Sequence, residues 1–359
     1  MEPDVTVLMP VYNGERHLRA AIDSILSQTH HNFELVIVDD GSSDGSAGIV
    51  SSYRDARIRA VGLGQNVGLA NALNEGLRHA RAALIARQDQ DDLAEPRRLE
   101  RQLKFLKERP EVALVGSQGM AISEAGVATG IVRRPVGRDS IRWFSLFDNP
   151  FIHTSVVFRA SIVREVGGYD HAYDPFSQDY DLWGRVMQDH VVANLDESLV
   201  RYRVSDSSVI GAMRTDARDS DKQRRFDAIL RELTLRQARR VLGEAAVTDE
   251  DGSLLAGLVR GLAGDQVPAF LALFERLLEI FTQRFDRAGS PDFGRTLARQ
   301  FDAVAFRVAP PSRRVLFSIY AHVARVHPEV LAHVSWPRTA AMLLFGKSGR
   351  ERLGHWWRT

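Results

Sequence analysis

The feature that most constrains this chain is an alternation of two hydrophobic periods over its first hundred residues. Val5 to Met9 is a short β-rich run closed by Pro10, and from Arg16 to Gln28 the apolar residues Leu18, Ile22, Ile25 and Leu26 recur at helical spacing. Phe33 to Val38 is a second strand, apolar almost throughout, as befits one covered on both faces. The cycle continues with a helix after Asp44, a strand at Ile58 to Val61, a helix at Leu69 to Arg78 and a strand at Ala82 to Ala86. A helix then opens near Pro96, with Leu99, Leu103 and Leu106 on its buried face, and Val112 to Val115 closes the series. Strands alternating with helices predict an α/β fold with a mostly parallel sheet flanked by helices and right-handed crossovers.

Beyond residue 117 the pattern is mixed. A hairpin-like stretch from Gly119 to Val132 precedes a helix carrying Trp143, Phe144 and Phe147, then a strand at Ser155 to Phe158 and a helix with Leu182, Trp183 and Val186. Strand signals cease after about Ile210, so the expectation is two domains, 1–210 and a mainly α-helical C-terminal 211–359. A chain of 359 residues exceeds what one core usually holds. Cysteine is absent, which excludes a disulfide framework, a zinc-thiolate site and a cysteine nucleophile. With 47 Lys and Arg against 46 Asp and Glu, nothing in the overall charge points to nucleic acid as a partner. The acidic N-terminal end lacks the apolar stretch of a signal peptide, and no C-terminal run approaches the roughly 20 residues of a membrane span, so a cytoplasmic location is expected.

Ligands of open parallel sheets bind beyond the carboxyl ends of the strands. Three polar clusters fall there: Pro10-Val-Tyr12-Asn13, Asp39-Asp40, and Asp89-Gln-Asp91-Asp92. Each alone reads equally as helix-capping chemistry. Together they crowd carboxylates that repel unless a cation lies between them. Asp-x-Asp suits Mg²⁺ or Mn²⁺, whose octahedron substrate phosphates complete, which implies a diphosphate ligand. Tyr12 offers a face for a nucleobase, and Asp40 can accept from a base N–H or a ribose hydroxyl. Asn66-x-Gly68-Leu69, with Asn74 and Gly76 beyond it, places amides at a helix entry where backbone N–H groups could meet phosphate or simply cap the helix.

These clusters, with Ala86-Arg-x-Asp89, Pro96-x-Arg-Leu99, His153-x-Ser155-x-Val-Phe158-Arg159, Gly167-Gly-Tyr-Asp170, Gln178-Asp-Tyr-Asp-Leu-Trp183 and Tyr202-Arg203, resemble in order and spacing the GT-A (Rossmann-like) domain of family 2 glycosyltransferases over residues 4 to 205. The resemblance implies metal-dependent, inverting transfer of a sugar from a nucleotide-diphosphate donor, a UDP-sugar favoured, to an acceptor hydroxyl. It places the nucleobase on Tyr12 and Asp40, with Pro10, Asn13 and Asn66 in the same nucleotide site, and ribose and metal (Mn²⁺ or Mg²⁺) on Asp89 and Asp91, with Asp92 close by. The general base maps to Asp179, with Asp181 as a rival. On a helix those two do not share a face, so only one reaches the acceptor. Gln178 stands where the family often has glutamate, and Ser205 where it commonly has a histidine near the metal. His153 falls at the donor or acceptor face or serves as a structural hydrogen-bond partner; Trp183 is a sugar platform or core.

Residues 310–359 carry eight Lys and Arg against two acids and end Gly354-His-Trp-Trp-Arg358. That composition suits an anionic membrane interface, hence a location at the inner face of the plasma membrane and a glycan or lipid-linked glycan acceptor, or else a helical lid or homo-oligomer surface. The competing functional class is a nucleotide-sugar-binding protein of low or no activity.

Overall fold

In a computed structural model the described residues are 2–204, 220–285, 291–307 and 313–327, with 330 and 334. Ser205 and the Trp356-Trp357 end lie outside them. By internal contacts the chain forms two units, the first comprising 1–134 and 151–223, the second 135–150 and 224–359.

The first unit is built on a mixed sheet. In chain order its elements begin β1 (Val5–Val11), α1 (Leu18–Leu26), β2 (Phe33–Asp39), α2 (Ser46–Ser52), β3 (Ile58–Gly62), α3 (Leu69–His79), β4 (Leu84–Arg87) and β5 (Leu93–Ala94). The order continues with α4 (Arg98–Glu108), β6 (Val112–Ile122), β7 (Ala128–Val132), then, beyond the inserted helix α5 (Arg138–Phe144), β8 (Val157–Arg159), α6 (Ala160–Glu165), α7 (Gln178–Asp189) and β9 (Val191–Arg203). The strands lie side by side as β3-β2-β1-β4-β8-β6-β9-β5, with β7 paired to β6. From β3 to β4 every pairing is parallel, as the alternating periods predict; β8 then runs antiparallel between β4 and β6. β9, which the sequence did not mark as a strand, pairs parallel to β6 over its whole length with three register shifts.

Burial follows the sequence pattern. All seven residues of β1 are buried, and its core partners include Leu18, Ile22, Ile25, Leu35 and Ile37. α3 packs so closely on β1 and β2 that a Cβ on Gly76 would stand 2.1 Å from Leu8 Cδ1 and 3.1 Å from Val38 Cγ2. Gly76 is therefore a packing residue, and alanine there would push the helix off the sheet.

Pro10 sits inside a central strand, which normally costs a ladder bond. The structure shows why it is tolerated. Leu8 O accepts from Gln88 N–H, so residues of the same parity on β1 turn their polar groups toward β4. The β1–β4 pairing stops at Leu8–Arg87. Pro10 lies just past that stop, where no donor is required.

At the opposite end of the sheet, Glu34 is buried and accepts from Thr6 Oγ1 (2.6 Å), the Arg81 backbone N–H (2.7 Å) and Arg81 Nε (2.7 Å). Burial pushes its carboxyl up, but these donors outweigh it and the group sits below the ordinary glutamate range. A carboxylate depressed in the folded state adds stability above its unfolded value and loses it as pH falls. Glu34→Gln is thus expected to flatten the acid limb of the stability curve below about pH 4.3, read by urea melts from pH 3 to 7; an unchanged slope would rule this out.

The second unit is helical: α5, then α8 (Ser220–Leu242), α9 (Asp251–Arg260), α10 (Val267–Phe285), α11 (Pro291–Arg307) and α12 (Arg313–Val326). The segment 135–150, which the sequence reading assigns to the first domain, packs here instead. Fully buried Trp143 meets the rings of Phe147, Phe274, Phe281 and Phe293 at centroid separations of 5.1–6.1 Å, and its indole N–H donates to Gln300. Aromatic complementarity with residues far along the chain decides its place, not adjacency in sequence. No helix among the described residues is long and apolar enough to cross a membrane.

Candidate functional site

The carboxyl ends of β2, β1 and β4 lie next to one another, so the three polar clusters form one rim. β8 enters antiparallel beside β4, and Ala86 pairs with Val157, so the residues just before β8 return to the same rim.

The β1 and β2 loops are laced together. Asn13 adopts φ +48°, a left-handed conformation that asparagine tolerates. Its N–H donates to Ser42 Oγ (3.0 Å) and its side-chain oxygen accepts from Ser43 N–H (2.8 Å). Gly14 N–H donates to Ser46 Oγ (2.9 Å), and Ser42 N–H to Asp39 Oδ1 (2.9 Å). Tyr12 is left 46% exposed, with its ring available as a platform.

Asp40 is buried and its carboxylate grips the loop before α3, accepting from Val67 N–H (2.7 Å) and Gly68 N–H (3.0 Å). Burial raises its carboxyl; the two N–H donors oppose this without cancelling it. Gly41, at φ +72°, must be glycine, because a Cβ would lie 2.5 Å from the Gln65 carbonyl carbon. Asp174 Oδ2 takes the Ala70 N–H (3.2 Å), while Asn74 pairs reciprocally with the Tyr169 backbone (2.8 and 2.9 Å). The N–H groups of Val67, Gly68 and Ala70 are thereby spent within the protein, so the phosphate-cradle reading of the Asn66–Gly76 stretch gives way to a cap. Asn66 is exposed beside that loop.

The β4 loop carries the acids. Fully buried Arg87 pairs with Asp89 Oδ1 (2.5 Å), and Asp89 N–H donates to Thr154 Oγ1 (3.0 Å). Asp92 is buried and accepts from Arg203 N–H (2.6 Å), and Arg203 Nε donates to Asp91 O (2.8 Å). β9 thus braces the loop. Asp91 is half-buried; burial first, and then the charge of Asp89, push its carboxyl up to about 6. Burial, Asp91 and Asp89 together raise Asp92 well above the usual range. Excess negative potential at this point fits a cation. Among the described residues no three His, Asp or Glu side chains converge as a ready-made metal cage. What fits is a hard divalent ion held by one or two carboxylates and completed by ligand phosphates.

α7 begins four residues after Asp174, whose carboxylate takes the Ala70 N–H, so the helix start that carries Asp179 is tied to the loop before α3. Asp179 is partly exposed and its Oδ1 accepts from Tyr180 N–H (2.8 Å). Asp181, in contrast, is buried and paired with Arg185 (2.7 Å), whose guanidinium also holds the carbonyls of Val166 and Gly168. Asp181 therefore staples the 166–168 loop to α7.

Gln178, Trp183 and Asp92, which the sequence leaves as candidates near the donor or acceptor, are buried, and for Trp183 this is the core alternative. Gln178 is 3% exposed, Trp183 is wholly enclosed by Phe151, His153, Phe158 and Tyr169, and Asp92 braces β9 as above. His153 lies 3.2 Å from the Tyr169 hydroxyl, and burial, with Arg87 nearby, lowers the pKa of its imidazole. Sequence reasoning missed Arg87, Thr154, Asp174 and Gln90; only Arg87, a cation two residues before an acid at a strand end, left a legible trace.

The sequence profile described as Glycosyl transferase family 2 matches residues 6–166. EpsE of Bacillus subtilis is 37% identical over 206 residues, 56% of this chain and 73% of its own. The amylovoran biosynthesis glycosyltransferase AmsE of Erwinia amylovora is 35% identical over 210 residues, 57% of this chain and 77% of its own. Among solved structures, S. aureus TarS 1-349 in complex with UDP-GlcNAc shares the fold at TM-score 0.53, with 16% identity over 99% of this chain and 92% of that one.

Proposed function

Since this chain belongs to the family 2 glycosyltransferases, we propose that it moves a sugar, with inversion, from a nucleotide-diphosphate donor to an acceptor hydroxyl in the assembly of a surface polysaccharide or glycolipid. The single observation that carries this reading is that one sheet rim gathers a nucleobase platform (Tyr12) and a carboxylate crowded by burial and by Asp89 (Asp91), with the helix that starts at Gln178 and carries the partly exposed Asp179 tied to the neighbouring loop through Asp174.

The donor's base stacks on Tyr12. Asp40 shapes the base slot through the backbone of Val67 and Gly68, and Asp89, fixed by Arg87 and Thr154, accepts from the ribose. Asp91, with Asp89, is the place for Mn²⁺ or Mg²⁺; when bound, the ion offsets charge on the departing diphosphate. Asp179 accepts the acceptor hydroxyl's proton as its oxygen bonds to the anomeric carbon, and the nucleoside diphosphate leaves with the electron pair of the broken bond. Retention through a glycosyl-enzyme would need a second carboxylate as nucleophile. Asp181 is spent on Arg185, which supports single displacement and hence inversion.

A UDP-sugar donor is favoured by the UDP-GlcNAc held by TarS, which shares the fold, and a glycan or lipid-linked glycan acceptor by the sequence reading together with relatives such as the O-antigen biosynthesis glycosyltransferase WbnJ of Escherichia coli. Membrane contact through the basic C-terminal region remains a proposal from sequence; of its cations Arg313, Arg314 and Arg325 fall on α12 and the others lie outside the described residues.

The test is ligand-linked stability. UDP with Mn²⁺ at about a hundred times Kd is expected to raise the melting temperature by roughly 5 °C, and UDP with chelator by much less. Equal shifts would remove Asp91 from a metal role; no shift with UDP or GDP would overturn the nucleotide site.

A further inference from the structure

Gln90, the middle residue of the Asp89–Asp91 element, has no role in the chemistry just described. Its side-chain amide is nevertheless the only contact that the described residues supply to the Tyr12 backbone on this flank: Oε1 accepts from Tyr12 N–H (2.9 Å) and Nε2 donates to Tyr12 O (3.1 Å). The two bonds are reciprocal, so only one orientation of the amide satisfies both.

Their position gives them meaning. The β1–β4 ladder ends at Leu8–Arg87, and Pro10, the next residue facing β4, has no N–H to extend it. Tyr12 is the residue after that on the same side. A peptide unit of β4 would be needed to receive its N–H and C=O, but β4 has already turned into the acidic loop. Gln90 reaches back and supplies a primary amide in place of that peptide, adding one rung across the gap where the two strands part.

Gly14 confirms how closely the amide lies. A Cβ on Gly14 would stand 2.4 Å from Gln90 Oε1 and 2.6 Å from its amide carbon. Any side chain at 14 displaces the rung.

We infer that Gln90 is a positioning residue which fixes the backbone of Tyr12, and thereby the stance of its ring, relative to the carboxylates of Asp89 and Asp91, so that donor base and donor diphosphate are held in register. Gly14 is glycine to let that amide pass. This rests on the nucleotide-site reading above. It makes the two halves of the donor site one mechanical piece, joined through the Gln90 amide.

The experiment compares wild type with Gln90→Ala, Gln90→Met (similar volume, no amide), Gly14→Ala and Tyr12→Ala in the full chain. Isothermal titration with UDP and Mn²⁺ is paired with hydrogen exchange of the peptide containing Tyr12 and, where turnover is measurable, with steady-state kinetics. Gln90→Ala, Gln90→Met and Gly14→Ala are expected to weaken UDP by about tenfold, as for the loss of one or two hydrogen bonds, and to speed exchange at Tyr12. They should raise the donor KM by the same factor with kcat within about twofold, since the reacting groups are untouched. A merely structural residue would lower the active fraction, and so kcat, without moving KM. If Tyr12→Ala weakens UDP but Gln90→Met and Gly14→Ala bind as wild type, or if Tyr12 exchange is unchanged in them, the inference is overturned. If Tyr12→Ala itself binds UDP as wild type, it is the nucleotide-site reading that fails, and the exchange result alone then decides whether the rung exists.

Discussion

Asp179→Asn is expected to lower kcat by about 10³-fold while leaving the UDP Kd within about twofold. Asparagine keeps the size of the side chain and can still accept the Tyr180 N–H through its carbonyl oxygen, so the start of α7 is preserved. What it loses is basicity. A sugar hydroxyl is a weak nucleophile, and without a carboxylate within about 3 Å its proton has nowhere to go as the new bond forms. Donor turnover in the presence of acceptor reads the loss, and titration with UDP shows that the site is intact. Asp181→Asn serves as the contrast. It strips Arg185 of a buried partner, so its effect should appear in the melting temperature, with the residual turnover following the folded fraction. Should the Asp179 variant retain turnover within tenfold of wild type, the proton goes elsewhere and the base assignment is lost.

Trp143→Ala is expected to remove about 3–5 kcal/mol from the stability of the helical unit. The indole is fully enclosed by four phenylalanine rings, three of them on α10 and α11, and its N–H is the donor to Gln300. Truncation leaves a large void and an unsatisfied buried amide oxygen. Calorimetry with and without UDP distinguishes the units: the transition that UDP does not move should fall, and the one it raises should hold. A loss below about 1 kcal/mol would mean that 135–150 does not belong to that core.

The parallel half of the sheet was legible because β1 and β2 are covered on both faces and so read as unbroken apolar runs, with helical periods between them. The acidic rim was legible for a related reason: chemistry gathers where strands end. β9 was not. Its centre reads Asn194, Leu195, Asp196, Glu197, Ser198, and its strand character comes from pairing with β6, eighty residues earlier, through shifted register. The burial of Asp181 against an i,i+4 cation at Arg185, which is what favours Asp179 in the proposed reading, is a pair that the sequence displays but does not explain, since a surface pair would look the same. Gln90 was illegible outright. Its role depends on where a proline ends a ladder, and no propensity encodes that.

The helical unit is assembled from two stretches of chain, 135–150 and everything after 224. No single cut therefore separates the units cleanly. A truncation near residue 210 would orphan Trp143 and Phe147, presenting a greasy stub to solvent and inviting clumping in expression trials. Chimeras that graft this half onto a relative's catalytic half must carry both stretches across at once, so the pieces are inherited, or exchanged, as a matched pair.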